Sequence, residues 1–284
     1  MGSQASQPLP ACMTFDPKIA DRLRRQRKSG QAILEWRRSI GALLLRETLV
    51  RFGSSRLGYL WALIEPIAFI MVFFGLRSLI GSASPFGESL ALFVLSGLVA
   101  ARVVINLMSK IASAITANRA MLTYPVVQPL DTVLARCFLE IITSMMVISI
   151  VYAGLIMFVE NTVIHDYIRF TLATLATIFL GASWGVLNAA LAPIFPLWTT
   201  IMGLLKFPLF IGSGIFFIPS QFSPFVQSIL YWNPILHVVE WYRTGLYIDY
   251  VPLLDMRFPI GFAAITLVLG LIVERVYRLR ISIS

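Results

Sequence analysis

The sequence predicts an all-α polytopic membrane protein with six transmembrane helices. An N-terminal amphipathic interfacial helix precedes them, and two short re-entrant or interfacial helices lie between spans five and six. Three observations carry this. The 284 residues are 58% hydrophobic and only 13% charged, against roughly 25% charged in soluble domains. Charge-free runs are long: 36 residues separate Arg169 from Lys206, and 30 more separate Lys206 from His237. About 20 mostly apolar residues cross the hydrocarbon of a bilayer, and no soluble core offers runs like these. The positive charge is also lopsided. Of 23 Lys and Arg residues, 11 fall in the first 56 positions, and Arg275, Arg278 and Arg280 close the chain. Basic residues flank the cytoplasmic ends of spans. Both termini are therefore expected in the cytoplasm, which requires an even number of spans.

The elements follow in order. Residues 1–30 read as a polar, basic cytoplasmic tail whose cluster Arg22, Arg24, Arg25, Arg27 and Lys28 suits anionic lipid. No folded module accompanies the cluster, so nucleic acid is not an expected partner. The remainder, 31–284, reads as a single transmembrane domain. Over 31–52, Ile33, Trp36, Ile40, Leu43, Leu44 and Val50 share one helical face at about 100° per residue, the pattern of a helix lying on a membrane. Glu47 falls inside that apolar arc and Arg51 at its edge, so these two are expected to face protein.

The first span is placed at about 59–80, opened by Tyr59 and Trp61, and the second at about 90–108. Loop 109–130 holds Lys110 and Arg119 and is expected on the cytoplasmic side. The third span is about 131–159. Loop 160–168 holds Glu160, His165 and Asp166 without Lys or Arg, as an outer loop should. The fourth span is about 169–192. Pro193 and Pro196 break the chain, Trp198 marks an interface, and the fifth span runs to about 218. Pro219, Pro224, Pro234 and Pro252 then cut 219–257 into pieces too short to span. Such pieces are tolerated at membrane depth only when buried in protein or lining a cavity. The sixth span is about 258–277.

Several chemistries find no support. No G-x-x-x-x-G-K-[S/T] loop is present, and the dipeptide Gly-Lys does not occur, so any ATP hydrolysis falls to another chain. The only two histidines, His165 and His237, lie 72 positions apart, and no metal site is expected. Cys12 and Cys137 give no disulfide framework. Gly212-Ser213-Gly214 is not a nucleophile elbow, and its glycines read as close packing of the fifth span. The chain is expected to be no enzyme, to have no catalytic residues and to bind no cofactor itself.

Two polar groupings stand out. Asn233-Pro234 reads as a helix start, with Asn as cap and Pro at the first position. His237, Glu240 and Arg243 then follow at i, i+3 spacing as near neighbours on one face. They read as a structural polar cluster or as a contact for whatever is transported. The second grouping is the charges within spans: Glu65, Arg102, Arg136, Glu140 and Lys206. By helical rise they sit about 8–14 Å deep from the inner side. A charge at mid-span costs roughly 2.5–3.5 kcal/mol and faces protein or water. Ion pairing between helices is expected, Glu65 with Arg102 in particular. A polar vestibule is the alternative. Arg77, near the outer end of its span, snorkels.

The segments RFGSSRLGYLWALIEP (51–66) and WNPILHVVEWYR (232–243) resemble the permease subunits of type-2 ABC exporters that move capsular polysaccharide or O-antigen chains. The resemblance runs from about residue 31 to the end. It implies a membrane-channel subunit of an ATP-driven exporter of lipid-linked capsular polysaccharide across a bacterial inner membrane. Export of an O-antigen, another amphiphile or a drug is the alternative. The implied partners are a second copy of the chain, two ATP-binding cassette chains that hold ATP and Mg, the polysaccharide, and periplasmic or outer-membrane export proteins. The substrate-channel candidates are Trp61, Glu65, Phe69, Phe73, Arg77 and Arg102. A cytoplasmic coupling helix that docks on the ATPase matches 118–128, with Asn118, Arg119, Met121, Leu122, Tyr124 and Pro125 as its candidates.

Overall fold

The structure, a computed structural model, describes residues 40–49, eight positions between 64 and 79, 84–87, 89–122, 127–158 and 163–283. No strand occurs among the described residues. Helix α1 covers 40–49. Then come α2 (Leu90–Ala112), α3 (Pro129–Phe158), α4 (Tyr167–Leu191), α5 (Trp198–Ile211), α6 (Pro224–Leu230), α7 (Pro234–Leu246) and α8 (Arg257–Ile283). The described positions Ile64, Ile67, Ala68, Met71, Val72, Gly75, Leu76 and Leu79 are helical. Among the described residues, α2, α3, α4 and Arg257–Arg278 of α8 are long and apolar enough to cross a membrane.

Local sequence explains the boundaries. Ser89 caps α2 by accepting from Leu92 N at 3.2 Å. Asp166 caps α4 by accepting from Ile168 N and Arg169 N, both at 2.9 Å. Asn233 caps α7 by accepting from Ile235 N at 3.0 Å, with Pro234 at the first helical position. Each cap satisfies amide groups that a helix start leaves unpaired.

α2 is the central post. Phe93, Leu98, Val104, Leu107 and Ile111 are fully buried, and the helix packs against α3, α4 and α7. α4 lies between α2 and α8. Its Gly181 and Gly185 let it lie close against α2: a Cβ on Gly181 would meet Leu107 Cβ at 2.8 Å, and one on Gly185 would meet Ile111 Cβ at 2.8 Å. Gly181-Ala182-Ser183-Trp184-Gly185 is the small-xxx-small pattern by which membrane helices pack closely. The outer sides of α3 and α8 instead carry exposed Phe138, Ile142, Ile150, Ile265 and Ile272, as lipid-facing surfaces do. Burial here is driven by packing and satisfied polar groups rather than by water exclusion.

The fifth element departs from expectation. A continuous span over 199–218 is expected, yet α5 stops at Ile211 after 14 residues. That is about 21 Å of helix, short of a bilayer's ~30 Å. Pro208 sits inside it and cannot donate to the ladder. Gly212 then caps it, and Gly214 takes the left-handed φ of +78°. These glycines end the helix rather than pack a longer one. The two short helices expected in 219–257 are α6 and α7, preceded by a 3-10 turn at Pro219–Gln221.

Candidate functional site

Polar side chains gather at opposite ends of α2. The first cluster sits beside its N-terminal end, on α7. Arg243 and Glu240 are both wholly buried and pair at 3.0 Å. Arg243 Nη2 donates to the carbonyls of Gly214 and Ile215 at 2.7 and 3.2 Å. Its Nη1 also reaches the Tyr250 hydroxyl at 3.3 Å and Phe217 O at 3.4 Å. The guanidinium lies 3.8 Å over the Phe93 ring of α2, a cation–π contact. Glu240 accepts on both oxygens: Tyr250 Oη donates to Oε1 at 2.7 Å, and Leu253 N donates to Oε2 at 3.1 Å. The chain break after α5 thus supplies the carbonyls that a buried arginine needs.

His237 is the next member. Asp255 N donates to its Nδ1 at 3.2 Å, so Nδ1 carries the lone pair. Its Nε2 must then hold the proton and donate to Tyr231 O at 2.8 Å. The ring is neutral, with both nitrogens used. Burial of this ring, in a helix outside the four spanning helices, lowers its pKa from the usual value. Tyr231 Oη donates to Asp255 Oδ2 at 2.9 Å. The Arg257 amide, followed by this hydroxyl, holds the Asp255 carboxyl below the usual range, and the same hydrogen bond raises the Tyr231 pKa. Asn233 Nδ2 donates to Leu209 O at 2.8 Å, tying the end of α5 to the start of α7. Asn233, His237, Glu240 and Arg243 are all buried. Glu240 and Arg243 meet each other, while His237 and Asn233 take separate partners. Tyr250 and the Leu253 amide complete the cluster. Neither is visible in the i, i+3 spacing, because both come from the irregular stretch after α7.

The second cluster lies at the other end of α2. Glu47 of α1 is buried and joins Asn118 and Arg136. One of its oxygens accepts from Asn118 Nδ2 and the other pairs with Arg136 Nη1. Arg46 Nη1 donates to Asn118 Oδ1 at 2.6 Å. Asn118 Nδ2 also reaches Ala114 O at 2.9 Å. Arg136 Nε donates to Lys110 O at 3.3 Å and lies 3.7 Å from Glu140 Oε1. One network therefore links α1, the loop after α2 and the start of α3. Glu47 faces protein as expected, and Arg136 pairs between helices with it, whereas the contact of Arg136 with Glu140 lies within one helix.

The remaining expected residues divide. Arg119 is exposed on a 3-10 turn, Arg119–Met121, and Leu122 is buried. Tyr124 and Pro125 lie outside the described residues, as do Arg51, Trp61, Glu65, Phe69, Phe73 and Arg77. The expected Glu65–Arg102 pair therefore falls outside the description too, while Arg102 itself is half-buried on α2. Among the described residues no group of three His, Cys, Asp or Glu residues is placed to hold a metal ion. Sequence reading passed over Asn188, whose Oδ1 accepts from Trp198 Nε1 at 3.0 Å and joins α4 to α5.

Comparison with known proteins agrees with this architecture. The profile of the family "ABC-2 type transporter" matches residues 38–247. The polysialic acid transport protein KpsM of Escherichia coli is 31% identical over 242 residues, covering 84% of this chain and 92% of the relative. The capsule polysaccharide export inner-membrane protein BexB of Haemophilus influenzae is 28% identical, covering 84% and 90%. The capsule polysaccharide export inner-membrane protein CtrC of Neisseria meningitidis serogroup B is 28% identical, covering 74% and 80%. With long apolar helices around a buried post and a profile match across most of its length, the chain belongs to the ABC-2 type transporter family of membrane proteins.

Proposed function

We propose that this chain is the inner-membrane, channel-forming subunit of an ATP-driven exporter of capsular polysaccharide. The observation that carries the reading is the set of relatives named for polysialic acid transport and capsule polysaccharide export, aligned over 74–84% of the chain. In this reading two copies form the channel, two separate ATP-binding chains dock beneath them, and the moved polymer is lipid-linked. Export proteins of the outer envelope receive it. Six crossings, counting 59–80 and α5 together with the irregular chain that follows it, place both termini, α1 and loop 113–128 in the cytoplasm, with α6 and α7 toward the outside. Residues 1–30 are then a basic tail and 31–284 one permease domain.

The geometry suits that role. Asn118 is bonded to Arg46 and Glu47 of α1, and Glu47 in turn holds Arg136 of α3, so force applied at this loop by an ATPase reaches α1 directly and α3 through Glu47. The opposite end of α2 is held by the Arg243 cluster and makes a fixed outer abutment. The channel surface falls to 61–77 with Arg102.

The test is a chromosomal deletion of this chain, complemented by the wild-type gene. The deletion strain should lose surface polymer and accumulate it inside. The purified chain should hydrolyse no ATP and should co-purify one-to-one with an ATP-binding chain. Surface polymer at wild-type level in the deletion strain, or ATP hydrolysis by the isolated chain, overturns the reading.

A further inference from the structure

A pocket of about 200 Å³ lies between the C-terminal ends of α2 and α4 and α5 from Trp198 to Lys206. Its walls include Ser109, Ser113, Thr116, Asn188, Thr199 and Lys206. No carboxylate among the described residues pairs with Lys206. Asn188 is 2% exposed. Its Oδ1 is taken by Trp198 Nε1, which leaves Nδ2 as a donor on the pocket wall. The hydroxyls have the opposite polarity. Ser109, Ser113, Thr116 and Thr199 donate to the carbonyls of Ile105, Lys110, Ser113 and Pro196 at 2.6, 2.9, 3.1 and 3.3 Å. Their oxygens are therefore left as acceptors.

The pocket thus offers a cation and an amide donor to an anion, and a ring of acceptor oxygens to hydroxyl hydrogens. From these observations we infer that it binds the headgroup of an anionic, hydroxyl-bearing phospholipid of the inner leaflet, of the phosphatidylglycerol type. Its phosphodiester sits against Lys206 and Asn188, and its glycerol hydroxyls donate to Ser and Thr oxygens. The volume suits one headgroup and falls below the roughly 300–1,000 Å³ of pockets for drug-sized ligands. Depth and flank point to a lipid. Lys206 lies eight positions past Trp198, about 12 Å along the helix, and its stem reaches back toward the interface. Beside it, α5 exposes Leu204 at 73% and Phe207 at 70%, an apolar surface for acyl chains. The inference rests on the cytoplasmic placement of this end of α2 proposed above. It does not depend on what is exported.

The experiment uses the full chain in nanodiscs of phosphatidylcholine. Thermal unfolding is measured as phosphatidylglycerol, phosphatidic acid or soluble glycerol phosphate is added. Wild type should be stabilised most by phosphatidylglycerol, less by phosphatidic acid, which lacks the hydroxyls, and not by glycerol phosphate. Lys206→Gln should weaken the phosphatidylglycerol response roughly fivefold in concentration, the factor expected for one basic residue near anionic lipid. Lys206→Arg should retain it. Asn188→Asp keeps the acceptor for Trp198 but removes the donor, and should also lose the response. Melting in pure phosphatidylcholine checks that each variant folds, and native mass spectrometry of bound lipid gives a second reading on any variant with a lowered melting point. An undiminished phosphatidylglycerol response in Lys206→Gln overturns the site. Equal stabilisation by glycerol phosphate overturns the lipid as its occupant. Failure of export in these variants tests a different claim, because binding is read without transport.

Discussion

Arg243 and Glu240 form an ion pair at 3.0 Å in which both side chains are wholly buried. The arginine also holds the chain break after α5 through the Gly214 and Ile215 carbonyls. Removing one member of a buried pair leaves an uncompensated charge and costs about 3–5 kcal/mol. Arg243→Met should therefore sharply reduce folded yield and melting temperature in detergent. Arg243→Lys should restore little, because one ammonium cannot reproduce the forked contacts. Glu240→Gln combined with Arg243→Met should be more stable than Arg243→Met alone. Single variants that melt like wild type would show that the cluster does not hold the fold.

Glu47 joins two partners that are 71 and 89 positions away in sequence. Glu47→Gln and Asn118→Ala should each destabilise the protein, and the double variant should lose less than the sum. A coupling of roughly 0.5–3 kcal/mol is expected for groups in one network. Thermal unfolding of the four proteins closes the cycle. Additive losses would mean that the two side chains do not share the contact.

Gly181 and Gly185 set the distance between α2 and α4. Gly181→Ala places a methyl at 2.8 Å from Leu107 Cβ, and overpacking of this kind costs about 1–3 kcal/mol. Gly154 on α3 has nothing within 4 Å of the same added atom, so Gly154→Ala should leave melting unchanged or raise it slightly. Calorimetry or fluorescence melting of the two variants distinguishes packing from a general intolerance of alanine.

The six-span reading is tested by impermeant thiol labelling of single cysteines in a background without Cys12 and Cys137. Cysteines at Ser84 and Gln221 should react in intact cells, and one at Ala117 only after the membrane is opened. Ala117 is chosen over its neighbour Asn118, which is 3% exposed and would label poorly on either side. Labelling of Ala117→Cys from outside would falsify the proposed orientation.

Composition and spacing alone determined the class of this protein and the boundaries of its long helices. Long apolar stretches broken by few charges or by none must be buried or in lipid, and α2, α3 and α4 start within two residues of their expected positions. The Asn-Pro start of α7 and the i, i+3 neighbours on it are local consequences of helical geometry, and they too were legible. So was Glu47, because a carboxylate on an apolar face needs a partner. The identity of that partner was not legible. Asn118 and Arg136 come from elements far along the chain, and only their packing against α1 brings them to one carboxylate. The end of α5 at Ile211 was hidden for the same reason. An apolar sequence through 218 permits a span; Pro208, Gly212 and Gly214 allow the break, and a buried arginine on another helix takes the Gly214 and Ile215 carbonyls that it frees. The opposed polarities of the Lys206 pocket also belong to tertiary structure. Each serine or threonine hydroxyl turns to its own helix, but only the convergence of α2, α4 and α5 sets those oxygens opposite a lysine.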